Sequence, residues 1–354
     1  MTTKKTYVNN VISKTPFFIT FLMMVFATSM QTIYAVASDK QSITVYSARS
    51  KHLIAPFFKS FEQETGINVR YINGKAGALR QKLLLEKENT PADILFTVDA
   101  GNLWKAAAEG LLAETPSPIL NQNIPQHLRD EKNRWFALTV RARTLVYSPE
   151  LVNSSEITNY VDLSKPQWKN RLCLRTSKKI YNQSLVAMLI HHYGEEKTES
   201  IVRGWVNNLA KKPYAKDSHV IKAVVKGDCA VGLVNTYYYG RQVKKDSNFS
   251  NKVKLAWVGQ RPEDFGTHIN ISGAGIIKYS KNKKNALRLI EWLSKKNIQV
   301  RFASLNLEYP ANPQATLSPI MESWGKFKRD ESSLRYAGEY QVKAVKLMDR
   351  TGYK

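Results

Sequence analysis

Tyr237, Tyr238 and Tyr239 follow the run Asp228-Cys-Ala-Val-Gly-Leu-Val-Asn-Thr236. That run is an apolar strand pattern ending on Asn235 and Thr236, two residues suited to cap a helix. The phenols therefore fall in a first helical turn, where successive side chains diverge by only ~100°, whereas neighbours on a strand point to opposite faces. Two adjacent phenols can converge on one point only off the strand. A second segment repeats the layout: Arg171-Leu-Cys-Leu-Arg-Thr-Ser-Lys-Lys-Ile180 leads through a strand and a polar turn to Tyr181, which opens another helix. Cys173 precedes Tyr181 by eight residues, and Cys229 precedes Tyr237 by the same eight. A disulfide between the two cysteines would align the strands and set their tyrosine-bearing ends side by side. Two buried thiols are the alternative.

Three phenolates would be hard, anionic oxygen donors whose summed charge matches a trivalent cation, ferric iron first. Softer metals prefer thiolate or imidazole, and calcium and magnesium prefer carboxylates and carbonyls. The competing reading is an aromatic core, or a wall on which an organic ligand stacks. Other candidates fit less well. His191-His192 lacks the spacing of a metal motif and reads as the outer part of a helix, while His268 in Gly266-Thr-His-Ile-Asn-Ile-Ser272 reads as structural. Neither a Gly-x-Ser-x-Gly elbow nor a phosphate loop occurs. A secreted hydrolase would need a nucleophile paired to a base, so the chain reads as a binding protein rather than an enzyme.

The elements that must position these residues follow an alternating pattern. Ile43–Ser47 reads as a strand, Leu53–Glu64 as a helix, Ile67–Ile72 as a strand, Ala78–Glu88 as a helix, Ala92–Thr97 as a strand and Asn102–Glu109 as a helix ended by Gly110. That order argues for a mainly parallel sheet covered on both faces. Leu138–Tyr147 is long enough to cross into a second lobe, where Arg171–Thr176 reads as a strand, Tyr181–His192 and Glu199–Asn208 as helices and Cys229–Val234 as a strand. Ile269–Ile277 could carry the chain back. The expected architecture is an α/β clamshell of two lobes with crossing hinge strands, and a ligand held at strand ends and helix starts facing the cleft.

Lys4, Lys5 and Lys14, the apolar run Pro16–Met30 and the small residues Ala35-Val-Ala37 have the order of a cleavable export signal over 1–37. The run is shorter than the ~20 apolar residues of a spanning helix. Neither cysteine lies near the expected cleavage point after Ala37, so a free periplasmic product is expected, in a compartment that permits disulfides. The formal net charge is +24, and loss of the three leader lysines would leave +21. Lysines and arginines are scattered without an arginine-rich block, which excludes nucleic acid as the expected partner. A basic field would instead attract anions or anionic chelates.

Tyr46-Ser-Ala-Arg49, Asn89-Thr-Pro-Ala-Asp93 with Thr97-Val-Asp-Ala-Gly-Asn102, Cys173-Leu-Arg-Thr-Ser177 with Ile180-Tyr-Asn-Gln-Ser184, and Asn235-Thr-Tyr-Tyr238 together resemble the periplasmic ferric-iron-binding proteins of ABC-type importers. The resemblance runs from about Ile43 to the C-terminus. It implies a transferrin-like clamshell with Fe(3+) held by Tyr181, Tyr237 and Tyr238, Tyr239 packing away from the metal, and delivery by a monomer to an inner-membrane permease. Some members place a histidine directly after Tyr-Ser-Ala-Arg; here Ser50 and Lys51 stand there, and His52 comes one residue later. Members without that histidine fill the gap with carbonate, a planar anion suited to a guanidinium fork. Arg49, Arg141 and Arg143 are the candidates for it, with Arg241 a weaker fourth. The expected organisation is a first lobe over 38–140, a second over 141–268, and a return to the first lobe with C-terminal helices over 269–354. Another small ligand, such as thiamine, a polyamine or an oxyanion, is the alternative cargo within the same class.

Overall fold

The computed structural model describes residues 1–6 and 41–354, and the expected export signal lies largely outside the described residues. Ser42–Lys354 forms one compact unit. In chain order its main elements are β1 (Ser42–Ser47), α1 (Lys51–Thr65), β2 (Asn68–Asn73), α2 (Ala76–Glu86), β3 (Ile94–Val98) and α3 (Ala100–Ala108). There follow β4 (Phe136–Tyr147), β5 (Leu172–Cys173), α4 (Ile180–Tyr193), α5 (Glu195–Asn207), α6 (Asp217–Val225), β6 (Val231–Asn235) and α7 (Thr236–Lys245). The chain ends with β7 (Lys254–Ala256), β8 (Ile269–Ile276), α8 (Lys283–Ser294), α9 (Lys296–Asn306), β9 (Tyr309–Pro310), α10 (Tyr336–Glu339) and α11 (Gln341–Arg350).

The expected alternation is present. β1 pairs in parallel with β2 and β3, and α1 between them buries Leu53, Ile54, Phe57, Phe58 and Phe61 as one stripe at helical spacing. Gly66 ends that helix with a φ of +72°, a left-handed cap open to glycine at no steric cost. The strands run in the order β2-β1-β3-β8-β4-β6-β5, with β7 and β9 also on β4.

β4 joins the two halves of this order. All twelve of its residues are buried. Its first part pairs with β8, down to Ala142 opposite Ile269, and from Arg143 onward it pairs with β6 instead. The partner changes between two consecutive residues, and Arg141 stands directly opposite Asn270 on β8.

Apolar side chains divide accordingly. One cluster draws on β1 to the first part of β4 and on residues from Ile269 to Leu334. A second draws on Leu145 to Val258 together with Ala344, Leu347, Met348 and Tyr353, so α11 packs on the second core. A third, around Val146, Val220, Val234 and Cys173, lies on the other face of β6.

One expected strand is shorter than its pattern. Of Arg171–Thr176 only Leu172 and Cys173 form a ladder, in parallel with β6. Beyond them the carbonyls of Arg175 and Thr176 are taken by the Asn182 side chain, at 2.7 and 3.1 Å. The backbone of Tyr214 bridges the same stretch, its N–H donating to the Leu174 carbonyl and its carbonyl accepting from the Thr176 N–H, and the Asn182 side chain adds its bonds where the chain turns toward Tyr181.

Candidate metal centre

β6 delivers its chain into α7 at Asn235, and the tyrosines occupy the first turn, as the pattern requires. Tyr237 is buried and Tyr238 half-buried, with ring centroids 4.4 Å apart and planes tilted by 33°. Tyr239 turns to the other side and packs on Phe249 and Trp324, at 5.9 and 6.1 Å between centroids. That separates it from the pair.

The disulfide is formed: Cys173 and Cys229 are joined, with Cα atoms 5.9 Å apart. β5 and β6 lie side by side in parallel, and the turns that follow them bring Tyr181 to the pair. Three phenols and two guanidiniums share this corner. The Cζ atoms of Arg141 and Arg175 lie 5.4 and 5.3 Å from the Tyr181 ring centroid. Burial, then the neighbouring phenols of Tyr181 and Tyr238, push the Tyr237 phenol well above its ordinary pKa, while Arg141 pulls it back. Burial works against the charge of Arg141, yet Tyr181, Glu308, Tyr237 and Asp99 hold it above the usual arginine value. Its Nε is buried without a hydrogen-bond partner.

A buried network sets the two tyrosine turns relative to each other. Arg143 donates to Asn182 Oδ1 at 2.5 Å, to Asn235 Oδ1 at 3.1 Å and to Asp217 Oδ2 at 3.2 Å. Asn182 follows Tyr181, and Asn235 stands at the N-cap position of the helix of Tyr237 with its side chain turned to Arg143 rather than to the helix backbone, so one guanidinium holds both helix starts. Asp217 accepts in addition from the Asn235 backbone N–H at 3.0 Å and from Arg175 at 3.4 Å. Two arginines share this one buried carboxylate, so the cluster keeps a net positive charge of one beside the phenols.

The candidate arginines therefore part company. Arg143 belongs to this scaffold, its charge met by Asp217. Arg49 lies in the first core, bonded to Ser272 at 2.8 Å and paired with Glu308 at 3.1 Å. Arg241 spans the rings of Tyr237 and Tyr238, at 5.1 and 5.5 Å, and donates to Asn306. Arg141 donates to the Ile271 carbonyl and lies beside the phenols of Tyr181 and Tyr237; its Nε has no partner, but the same holds for Arg49 and Arg143, so the phenols are what set it apart. Arg175, Asp217 and Asn182 carried no role in the sequence reading. Arg175 and Asn182 lie inside motifs quoted above, but nothing in the pattern around Asp217 marks it.

The histidines lie elsewhere. His52 is exposed on α1. His191 and His192 do not form an outer face, because α10 and neighbouring segments cover that end of α4. His191 stacks on Tyr336 at 3.6 Å, and His192 stacks on Phe265 at 3.7 Å with its Nε2 2.8 Å from Asp330. Burial pushes His268 down to about 4. Among the described residues no group of three or more His, Cys, Asp or Glu could hold a metal, which leaves the phenols as the clustered donors. A groove of about 870 Å³ lined by His127, Phe265, Phe327 and Arg329, among others, includes none of the three tyrosines.

A sheet crossed twice by the chain, with convergent polar side chains at helix starts beside the crossing, defines a solute-binding protein of the periplasmic type. The chain belongs to the family described as bacterial extracellular solute-binding protein, whose profile matches residues 89–329. Within it, iron uptake protein A1 of Synechocystis sp. is 37% identical over 319 residues, covering 89% of this chain and 88% of that protein. The fold is similar to the Trichodesmium IdiA/FutA protein in complex with iron and citrate, at a TM-score of 0.84 and 36% identity over 88% of this chain and 100% of that one. It is also similar to ferric iron-binding protein A of Mannheimia haemolytica in an open conformation, at a TM-score of 0.80 and 37% identity over 88% of this chain and 99% of that one.

Proposed function

We propose that the protein captures ferric iron as cargo through the phenolates of Tyr181, Tyr237 and Tyr238, and delivers it from the periplasm to an ABC-type importer in the inner membrane. The observation that carries this reading is the gathering of three phenols around Arg141 and Arg175 in a corner with no clustered carboxylate, thiol or imidazole. Such a donor set favours a small, hard, highly charged cation over zinc, copper or calcium. The names and bound ligands of the similar proteins point the same way.

Three phenolates leave an octahedral ferric ion with open positions. A planar anion such as carbonate would occupy them, and Arg141, which lies beside the Tyr181 ring, is the residue to hold it. Arg175 adds a second positive charge. The cleft closes by movement of two lobes, the first from 38–140 and the return after 269, the second from 141–268, with α11 lending side chains to the second core. Residues 1–37 direct export and are removed.

Titration of the apo protein with ferric citrate, followed by visible absorption, tests the reading. A phenolate-to-ferric bond gives an orange to red charge-transfer band that bleaches on reduction or acidification. Tyr→Phe at 181, 237 or 238 is expected to shift that band and weaken binding by orders of magnitude, while Tyr239→Phe leaves both unchanged. Wild-type affinity and spectrum in all three single variants would transfer the tyrosines to the wall of an organic-ligand site, which parallel titrations with thiamine, a polyamine and a phosphonate would then identify.

A further inference from the structure

Asp99 stands where β3 turns into α3. It is fully buried and carries a φ of +79° with a ψ of 125°, outside the left-handed helical region and seldom adopted by any L side chain. Such strain persists where the surroundings over-determine it. Its carboxylate is fully engaged. Oδ1 accepts from the Gly101 N–H at 2.9 Å, an ordinary helix cap. Oδ2 accepts from Asn270 Nδ2 at 2.8 Å and from Ser184 Oγ at 2.6 Å.

A cap requires one oxygen, and Ser, Thr or Asn would supply it. The second oxygen reaches two distant elements. Asn270 lies on the crossing strand β8 opposite Arg141, and its own Oδ1 accepts from the Ala100 N–H at 2.8 Å. Ser184 lies on α4 three residues after Tyr181, and residues three apart on a helix share a face. Tyr181 is thus bracketed. Asn182 ties its turn to Arg143 in the second core, and Ser184 ties it to Asp99 at the edge of the first.

We propose that Asp99 is a positioning residue for cargo capture: through Ser184 it locks the Tyr181-bearing turn of α4 to β8, and so holds Tyr181 in register with Tyr237 and Tyr238. This rests on the phenolate reading above. Arg141 from β4 and Lys105 from α3 are the charged groups that bear on Asp99. Burial raises its pKa to about 6, so at pH 7 the carboxylate remains mostly ionised and its bond from Ser184 is charge-assisted. Losing that bond frees the start of α4 to shift, and a ligand that has lost its anchor leaves the metal sooner.

The test compares the purified wild-type protein with Ser184→Ala, Asp99→Asn and the double variant, each loaded from ferric citrate at pH 7. Iron release to excess EDTA is followed through the charge-transfer band, and the melting temperature of each apo protein is measured. Ser184→Ala leaves the cap and Asn270 untouched, so it is expected to release iron roughly tenfold faster with a shifted band, while the apo protein stays folded and its melting temperature falls by a few degrees. Asp99→Asn should accelerate release at least as much, and the double variant no further, because both remove one interaction. A wild-type protein without the band overturns the phenolate reading and this proposal together. A wild-type protein with the band, beside a Ser184→Ala variant with wild-type release and spectrum, overturns the role of Asp99 alone. Additive effects in the double variant do the same.

Discussion

On the proposed ligation, the Tyr237 phenol would serve metal and fold differently. Its hydroxyl is buried and receives one long hydrogen bond, from Asn235 at 3.4 Å. A weak neutral bond of this kind contributes about 1 kcal/mol at most, so Tyr237→Phe should leave the apo melting temperature within a few degrees of wild type while iron affinity collapses. The pH dependence has a definite sign. Burial keeps the phenol protonated above the ordinary range, so an arriving ferric ion must displace the proton, and affinity falls as pH falls. Three displaced protons correspond to about a thousandfold per pH unit near neutrality. In Tyr237→Phe the slope of log affinity against pH, corrected for chelator and metal hydrolysis, should drop from three toward two. For the apo fold, the raised pKa means that this residue's contribution is complete below about pH 10 and is lost as the solution becomes more alkaline.

At the scale of elements, the tyrosines depend on a very short strand. β5 has only two residues in ladder with β6, and the bridge between Cys173 and Cys229, 56 residues apart in the chain, fixes what those two pairs cannot. Closing a loop of that length stabilises by about 2–5 kcal/mol. The double variant Cys173→Ala, Cys229→Ala is expected to lose stability by that amount in urea denaturation, and to bind iron more weakly because the turn of Tyr181 loses its register against α7. The matched eight-residue offsets made this arrangement legible in the sequence, since strand, turn and helix start each leave a local signature. What the sequence did not carry was the buried network. The alternation in Leu138–Tyr147 suggests one polar face, yet Arg141 and Arg143 sit in a strand buried on both faces. Their partners Asp217, Asn182 and Glu308 come from distant segments. Local pattern records which residues are polar, not which of them will meet.

At the scale of the molecule, β4 is the strand whose partner changes, from β8 to β6, and Arg141 faces Asn270 on β8 just before that point. Twisting there would swing one core against the other without breaking either. Small-angle scattering should therefore show a smaller radius of gyration with ferric iron than without it, and Arg141 and Asn270 should lie on the axis of the motion. Superimposable profiles would count against closure. The alternating lobes were readable from periodicity, but the docking of α11 on the second core was not, because the apolar stripe of Ala344, Leu347 and Met348 carries no address. The double crossing also bears on how the chain is made. Phe96 on β3 pairs with Ser47 of β1 on one side, but its neighbour on the other side is Ala274, which at 5–20 residues per second leaves the ribosome on the order of ten to forty seconds later. Through that interval the amino-terminal strands lack the partner that completes their sheet, so the first core cannot close until most of the chain has been made.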